Sequence, residues 1–238
     1  MKKQNEGIAV NIMKNAVNSG SLCVGVIAGT QTDTRFGLDY LESRDTRGIG
    51  LSISANPQAQ TQLQALDRKN LTELVLASLE ELVKEGASSA MLYCNSLSGA
   101  IDLEQVNKEG AIPVITPLDV YEELTFQYRN FGLLAANCQS CANIERTILK
   151  YNRTAKVIGI GNLQIVEDIE AELPPELIIR LHALEDLTRA LVKSGVQILI
   201  LGCTHFDYFY PKLKELTKGI KLFLPSERML EMLKERSK

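Results

Sequence analysis

Two short segments of the sequence end an apolar run in a cysteine that is followed by polar side chains. A thiol can act as acid and base near neutral pH, because its reference pKa of about 8.5 is lowered by a helix N-terminus or a nearby cation. Two thiols on opposite faces of one carbon atom could remove a proton from one side and deliver another to the opposite side, which inverts the centre. The first segment contributes Cys94, Asn95 and Ser96, and the second contributes Cys203, Thr204 and His205.

The two cysteines occupy equivalent positions of an internal repeat. LVKEGASSAMLYCNS (82–96) aligns without a gap on LVKSGVQILILGCTH (191–205), and VGVIAGT (24–30) precedes the first as FGLLAAN (131–137) precedes the second. A single cysteine in such a place is more often a buried packing residue. Two at matching strand ends indicate a site, since ligands of parallel α/β sheets bind beyond the carboxyl ends of the strands.

Short β-branched runs alternate with longer amphipathic stretches, as in α/β folds built from parallel sheets. We therefore predict two pseudosymmetric lobes, each a parallel sheet flanked by helices, with the active site in the cleft between them. Predicted strands cover 22–28, 49–54, 89–93, 112–115, 132–136, 156–160, 197–201 and 220–224. Predicted helices cover 34–44, 58–85 (ending at Gly86), 101–109, 118–129, 140–151, 163–172, 176–194, 208–217 and 226–236. The predicted units are an N-terminal extension without an assigned role (1–20), a first lobe (21–115, completed by 218–238) and a second lobe (116–217).

The composition limits the classes of partner. The 26 basic and 29 acidic residues are spread along all 238 positions and leave a net charge of −3, whereas nucleic-acid binding needs a clustered basic surface. The sequence indicates no membrane-spanning run and no signal peptide. Five cysteines are an odd number, which favours free, reduced thiols over a disulfide framework. We therefore expect a cytoplasmic protein that binds neither nucleic acid nor membrane.

Beyond these patterns, the motifs CNS (94–96) and GCTH (202–205) resemble the two signature motifs of the cofactor-independent aspartate/glutamate racemase family. GLLA (132–135), IPVI (112–115) and FLPSERM (223–229) extend the resemblance over most of the chain. The resemblance implies a two-lobed α/β fold, a homodimer, and racemisation of a small amino acid, with aspartate or glutamate expected. It also implies that the reaction uses no cofactor and, in particular, no pyridoxal phosphate.

The resemblance also implies roles for the residues of the two motifs. Cys94 and Cys203 would be the acid/base pair, with Cys203 taking the α-proton of the L-enantiomer and Cys94 that of the D-enantiomer. Asn95, Ser96 and Thr204 would hold the α-carboxylate of the substrate. His205 would lie beside the second thiol, as a proton partner or a substrate contact.

A further pair of binding candidates lies after the second predicted strand, at the start of the long predicted helix and within it. SANPQ (54–58) followed by DR (67–68) is more similar to the aspartate branch of the family than to the glutamate branch. Asn56 is then a site candidate. Arg68 would be either a bidentate ligand of a carboxylate or a solvated arginine of the helix surface.

Other candidates lie where the chain departs from the family pattern. The first loop reads AGTQTDTRFG (28–37) in place of a glycine-rich or Asp-Ser-Gly turn. Thr30 and Asp33 could replace the contacts of that turn, or could simply cap the helix that follows. Asn137 is a candidate because it follows Ala136, which stands where the family has a threonine.

The alternatives differ in chemistry. Cys138 and Cys141 form a CxxC pair that could be redox-active or half of a zinc site. Because the chain has no second CxxC and only two histidines, we expect the pair to begin a helix without holding a metal.

On the same scaffold, a maleate isomerase would use one cysteine as a nucleophile, and a hydantoin racemase is a further alternative. A catalytically silent amino-acid-binding protein is the alternative from a different class.

Overall fold

The computed structural model describes residues 12–17, 22–59 and 67–236, which form two sheets with helices on their faces. The first part of the chain contains β1 (Ile12–Lys14), β2 (Cys23–Ala28), α1 (Gln31–Glu42), β3 (Arg47–Ser52), α2 (Arg68–Lys84), β4 (Ser89–Tyr93), α3 (Asn95–Ala100), α4 (Leu103–Glu109), β5 (Val114–Ile115) and α5 (Pro117–Thr125). The second part contains β6 (Asn130–Ala135), α6 (Cys138–Tyr151), β7 (Lys156–Gly161), α7 (Leu163–Glu170), α8 (Pro175–Leu181), α9 (Leu184–Lys193), β8 (Ile198–Gly202), a 3-10 helix (Thr204–Tyr208), α10 (Tyr210–Leu216), β9 (Lys221–Phe223) and α11 (Pro225–Arg236).

Apart from the additional edge strand β1, the two sheets share one strand order, which confirms the predicted α/β fold with two similar lobes. The first sheet runs β1-β3-β2-β4-β5 and the second runs β7-β6-β8-β9, so β2 corresponds to β6 and β4 to β8. All pairings are parallel except that of β1, which is antiparallel to β3. Tyr93 lies opposite Ala28 in the first sheet, and Gly202 lies opposite Ala135 in the second. Cys94 and Cys203 therefore directly follow equivalent strand ends of the two sheets.

Apolar side chains on both faces of each sheet explain why the strands read as continuous hydrophobic runs. In the first lobe, α2 covers one face, while α1 and α11 cover the other. In the second lobe, the helices from α7 to α10 cover one face and α6 covers the other. None of the helices in these described ranges combines the length and the apolar character that a bilayer crossing needs.

A glycine ends the helix before β4 and again before β8, in the repeat that the sequence shows. Gly86 has φ +97° and Gly195 has φ +78°, conformations that cost little only for glycine. In both turns the next amide bonds back to a helical carbonyl, from Ala87 to Leu82 at 2.9 Å and from Val196 to Leu191 at 3.1 Å. This is a Schellman motif, and it confirms Gly86 as a C-terminal cap.

Several predicted boundaries were wrong for identifiable reasons. The predicted helix over 176–194 is two helices, because Ala183 adopts a left-handed conformation with φ +47° between α8 and α9. The predicted helix over 101–109 is preceded by a separate helix, α3, which begins directly after Cys94. Of the predicted helix over 58–85, residues 60–66 lie outside the described ranges, and α2 begins at Arg68.

The two ends of the chain also pack differently from the predicted division into units. Residues 12–14 belong to the predicted extension, yet as β1 they cover an edge of the first sheet, and residues 1–11 and 18–20 lie outside the described ranges. The predicted boundary at residue 218 places β9 with the first lobe, whereas β9 pairs with β8 in the second sheet. Only α11 returns to pack on the first lobe.

Replacing Gly195 by alanine should lower the free energy of unfolding by about 1–2 kcal/mol, because a Cβ is strained in the left-handed region. The effect would be strain alone, since the nearest atom to that Cβ, Nδ2 of Asn130, is 4.0 Å away. The exposed neighbour Ser194 provides the control, and Ser194→Ala should change the value by less than ~0.5 kcal/mol. Denaturant unfolding measures both, and equal effects would refute the helix-ending role.

Candidate active site

Cys94 and Cys203 follow β4 and β8 directly, and both are buried, with exposed fractions of 2% and 8%. Both have extended backbone and both immediately precede a helix, α3 after Cys94 and the 3-10 helix after Cys203. The amide of Leu97 donates to Cys94 Sγ at 3.4 Å. Such an amide at a helix N-terminus is a donor that a thiolate can use.

Hydrogen bonds between the lobes hold the two cysteine-bearing strand ends together. Thr204 Oγ1 donates to the carbonyl of Tyr93 at 3.4 Å, which joins the residue after one thiol to the residue before the other. Ser96 Oγ and Ser140 Oγ lie 2.9 Å apart, which links α3 to α6. These contacts support the cleft between the lobes that the repeat predicts.

His205 is buried at this junction between two carboxylates and a thiol. Its Nε2 donates to Oε1 of Glu170 at 2.8 Å, and its Nδ1 lies 3.5 Å from Oδ1 of Asp33 and 3.7 Å from Cys203 Sγ. Burial alone would lower the pKa of His205, but Asp33, Cys203 and Glu170 raise it well above its usual value. This shift favours the protonated imidazole at neutral pH, which would place a positive charge beside the second thiol.

The two carboxylates around His205 differ in their protonation. Burial would raise the pKa of Glu170, but hydrogen bonds with His205, Thr30 and Thr32 hold it below its usual value. Burial raises the pKa of Asp33 above its usual range, and the charge of His205 opposes this shift. Glu170 is thus the fixed anion of the group, whereas Asp33 is the carboxyl group that takes up a proton more readily.

Two buried amide groups have an unused donor. Oδ1 of Asn95 accepts from the hydroxyl of Tyr121 at 2.5 Å, and Oδ1 of Asn137 accepts from the amide of Ser140 at 2.8 Å. Each bond fixes the orientation of its amide, because only the oxygen can accept. Nδ2 of Asn95 and Nδ2 of Asn137 are both buried without a hydrogen-bond partner among the described residues. A buried donor of this kind is costly unless a ligand accepts from it.

The structure also locates the candidates of the first loop. Thr30 caps α1 by accepting from the amide of Asp33 at 3.1 Å, as the simple capping interpretation predicts. The same hydroxyl donates to Oε1 of Glu170 at 2.5 Å, so it also joins the two lobes. Oδ2 of Asp33 accepts from the amide of Gly29 at 3.4 Å.

Asn56 and Arg68 are not brought to the cysteines by any hydrogen bond or ion pair within the described ranges. Both are exposed. Oδ1 of Asn56 accepts from the amide of Ala59 at 2.8 Å, a local turn contact, and Arg68 is the first residue of α2. The chain between them, over 60–66, lies outside the described ranges.

Cys138 and Cys141 lie in the first turn of α6, as predicted, but in different environments. Cys138 is exposed, whereas Cys141 packs against Gly159 of β7, and burial raises its pKa to about 11. In the described part of the chain, no group of three or more His, Cys, Asp or Glu side chains is arranged as a metal site.

Sequence reasoning missed Glu170, Tyr121 and Ser140, each of which contacts a predicted site residue. None of them lies in a repeat or beside Cys94 or Cys203. Their positions depend on how α5, α6 and α7 pack, and the pattern along the chain carries no signal for that packing.

Comparison with known proteins shows the family and the fold of this chain. The sequence profile of the Asp/Glu/Hydantoin racemase family matches residues 45–227, which is more than half of the chain. The chain belongs to this family. A glutamate racemase of Trichodesmium erythraeum is 26% identical to this racemase-family chain over 165 residues, which cover 64% of the chain and 58% of that relative. The chain thus matches less than two thirds of the relative's length.

Solved structures of racemases share the fold of this Asp/Glu/Hydantoin racemase family member. Glutamate racemase isoform RacE1 from Bacillus anthracis has a TM-score of 0.68 at 15% identity, covering 91% of this chain and 81% of that one. Glutamate racemase from Francisella tularensis in complex with D-glutamate has a TM-score of 0.63 at 19% identity, with coverages of 90% and 80%. An aspartate racemase homologue from Pyrococcus horikoshii has a TM-score of 0.57 at 18% identity, with coverages of 90% and 98%.

The charge on His205 can be tested directly because the chain has only two histidines. In His182→Gln, nitrogen NMR shifts of the one remaining imidazole should show both ring nitrogens protonated at pH 7.5. Asp33→Asn in that background should lower the pKa of His205, since it removes the charge that raises it. A neutral imidazole at pH 7.5 in the first variant would contradict the buried ion pair.

Proposed function

We propose that this racemase-family protein inverts the α-carbon of an amino acid, with Cys94 and Cys203 as the two bases and without a cofactor. One thiolate takes the α-proton, and the electron pair of the broken C–H bond stays on the α-carbon beside the carboxylate. The other thiol then protonates the opposite face of that carbon. Since the product returns by the same steps reversed, the two thiols exchange roles between the two directions.

The observation that carries this proposal is the placement of the thiols. Both are buried at equivalent ends of equivalent strands, and the bond from Thr204 to the carbonyl of Tyr93 holds those ends close. Neither Cys94 nor Cys203 is in a disulfide. A positioned acid or base contributes about 10²–10⁴-fold to a rate, so a pair on opposite faces supplies a large part of the catalysis.

The surroundings of the two thiols support different roles. Protonated His205 lies beside Cys203, and a positive charge favours the thiolate form of a neighbouring cysteine. Cys94 Sγ accepts from the amide of Leu97. We infer that Cys203 removes the proton of the L-enantiomer and Cys94 that of the D-enantiomer, with Asp33 and Glu170 as positioning residues that keep His205 charged.

The unused amide donors support binding of a carboxylate between the lobes. Nδ2 of Asn95 comes from the first lobe and Nδ2 of Asn137 from the second, and a substrate carboxylate could accept from both. Ser96 and Thr204 add hydroxyl groups at the same junction. Closure of the lobes on a substrate would thus satisfy donors that have no protein partner in the described ranges.

Glutamate or aspartate is the substrate that we propose, because the relatives are glutamate racemases and an aspartate racemase homologue.

We also propose a homodimer in the cytoplasm. Thiol catalysis needs reduced cysteines, which the cytoplasm maintains. Light scattering during gel filtration measures the oligomeric state, and a monomer at micromolar concentration would exclude the dimer.

Replacing either catalytic cysteine by serine should strongly lower the rate of racemisation. Residual exchange of the α-hydrogen with solvent should then differ between the two enantiomers. Serine has nearly the same shape and is a far weaker acid, so the loss should reach ~10²-fold or more. In heavy water, Cys203→Ser should lose α-hydrogen exchange from the L-substrate more severely, and Cys94→Ser from the D-substrate. Proton NMR on each pure enantiomer measures the exchange.

The control for those variants is the CxxC pair. Replacing Cys138 and Cys141 together by serine should leave most of the turnover, because these thiols lie in α6 and not at the strand ends. Equal exchange of both enantiomers by either single catalytic variant would exclude the two-base mechanism. The reverse asymmetry would exchange the roles of Cys94 and Cys203.

Asn137→Asp should raise KM at least tenfold with a smaller change in kcat. Aspartate keeps the oxygen that caps α6 but replaces the free donor by a negative charge, which repels a substrate carboxylate. Asn162→Asp is a matched control, because Asn162 caps α7 at the end of β7 while its amide contacts His182. An equal rise in KM for both variants would argue against Asn137 as a substrate ligand.

A further inference from the structure

A second polar group joins the lobes at a place that the proposed proton transfer does not use. Asp207 lies in the 3-10 helix four positions after Cys203, and its Oδ2 accepts from the hydroxyl of Tyr93 at 2.6 Å. Tyr93 is fully buried and immediately precedes Cys94. The bond therefore spans from the chain before the first thiol to the chain after the second.

A third element meets the same oxygen. Ser226 Oγ, in the first turn of α11, donates to Oδ2 of Asp207 at 2.9 Å. Met229, Leu230 and Leu233 of α11 pack in the apolar cluster of the first lobe that also includes Tyr93. One carboxylate oxygen thus ties together the end of β4, the segment that follows β8, and the C-terminal helix.

We propose that Tyr93, Asp207 and Ser226 form an interlobe clamp that fixes the two cysteine-bearing strand ends relative to each other, with Asp207 as its positioning residue. The clamp acts beside the bond from Thr204 to the Tyr93 carbonyl, so Tyr93 is held through both its side chain and its backbone. The inference rests on the proposed two-thiol function, because its consequence is the spacing of Cys94 and Cys203. Misplacement of a catalytic group by about 1 Å can cost 10²-fold in rate.

The charge of Asp207 makes this clamp sensitive to pH. Burial raises the pKa of Asp207 to about 7, its bonds from Tyr93 and Ser226 oppose this shift, and nearby Asp33 and Glu227 add to it. The other titratable groups that face this region are Tyr40 and Tyr121, together with Arg44, which pairs with Glu227 at 3.9 Å. A carboxylate accepts stronger hydrogen bonds than a carboxylic acid, so the clamp is strongest above pH 7 and weakens below it.

The first test removes a single hydroxyl. Tyr93→Phe should lower kcat/KM about 10–100-fold and should speed alkylation of both Cys94 and Cys203 by iodoacetamide, because a looser junction exposes both thiols. Tyr128→Phe is the matched control. The hydroxyl of Tyr128 accepts from Nζ of Lys221 at 3.3 Å and contacts neither cysteine, so this substitution should change neither quantity. Gly195→Ala controls for a general loss of stability. Alkylation of Tyr93→Phe no faster than that of Gly195→Ala, or an unchanged kcat/KM, would overturn the clamp.

The second test uses the pH dependence. Asp207→Asn keeps the shape but cannot ionise, so the pH profile of kcat/KM should lose a transition near pH 7 that the wild-type protein shows. Identical profiles for the two proteins would overturn the role of Asp207. Alkylation needs no amino-acid substrate, so a chain that racemises neither glutamate nor aspartate would refute the proposed function while the alkylation rates still decide whether the clamp exists.

Discussion

A buried imidazolium between two carboxyl groups constrains how the two lobes can meet. Asp33 belongs to the first lobe, whereas His205 and Glu170 belong to the second, and His205 is only 1% exposed. Removing one partner from a buried ion pair leaves an uncompensated charge, which typically costs 3–5 kcal/mol. A rotation of one lobe that separates Asp33 from His205 is therefore opposed by part of this free energy. The strand ends that hold the thiols are positioned by the same requirement.

The lobes are similar in fold but not in the chemistry at their strand ends. Cys94 is followed by an α-helix whose amide contacts the sulfur, whereas Cys203 is followed by a 3-10 helix and adjoins a charged imidazole. A symmetric scaffold places the two thiols at equivalent strand ends, and the unequal surroundings support our proposal that each thiol meets a different enantiomer. The pseudosymmetry of the fold therefore does not imply equal thiols.

Features that depend on local sequence could be predicted, and features that depend on packing could not. The repeat located both cysteines at strand ends, since a helix, a glycine and an apolar run specify their own geometry at Gly86 and Gly195. Thr30 could be recognised as a cap for the same reason. Glu170 could not be found, because it reaches His205 only through the placement of α7 against the other lobe. The predicted helix over 176–194 divides at Ala183, and the residue before it, His182, contacts Asn162 and Asp168 outside that helix.

The return of α11 to the first lobe has a consequence for biosynthesis. Met229, Leu230 and Leu233 complete the apolar face of the first sheet that includes Val24 and Val26, but they are made after the whole second lobe. A chain that emerges N-terminus first therefore leaves part of this hydrophobic face uncovered until α11 has been made. A nascent chain that stalls after β9 therefore exposes the apolar side chains of the first lobe that α11 covers.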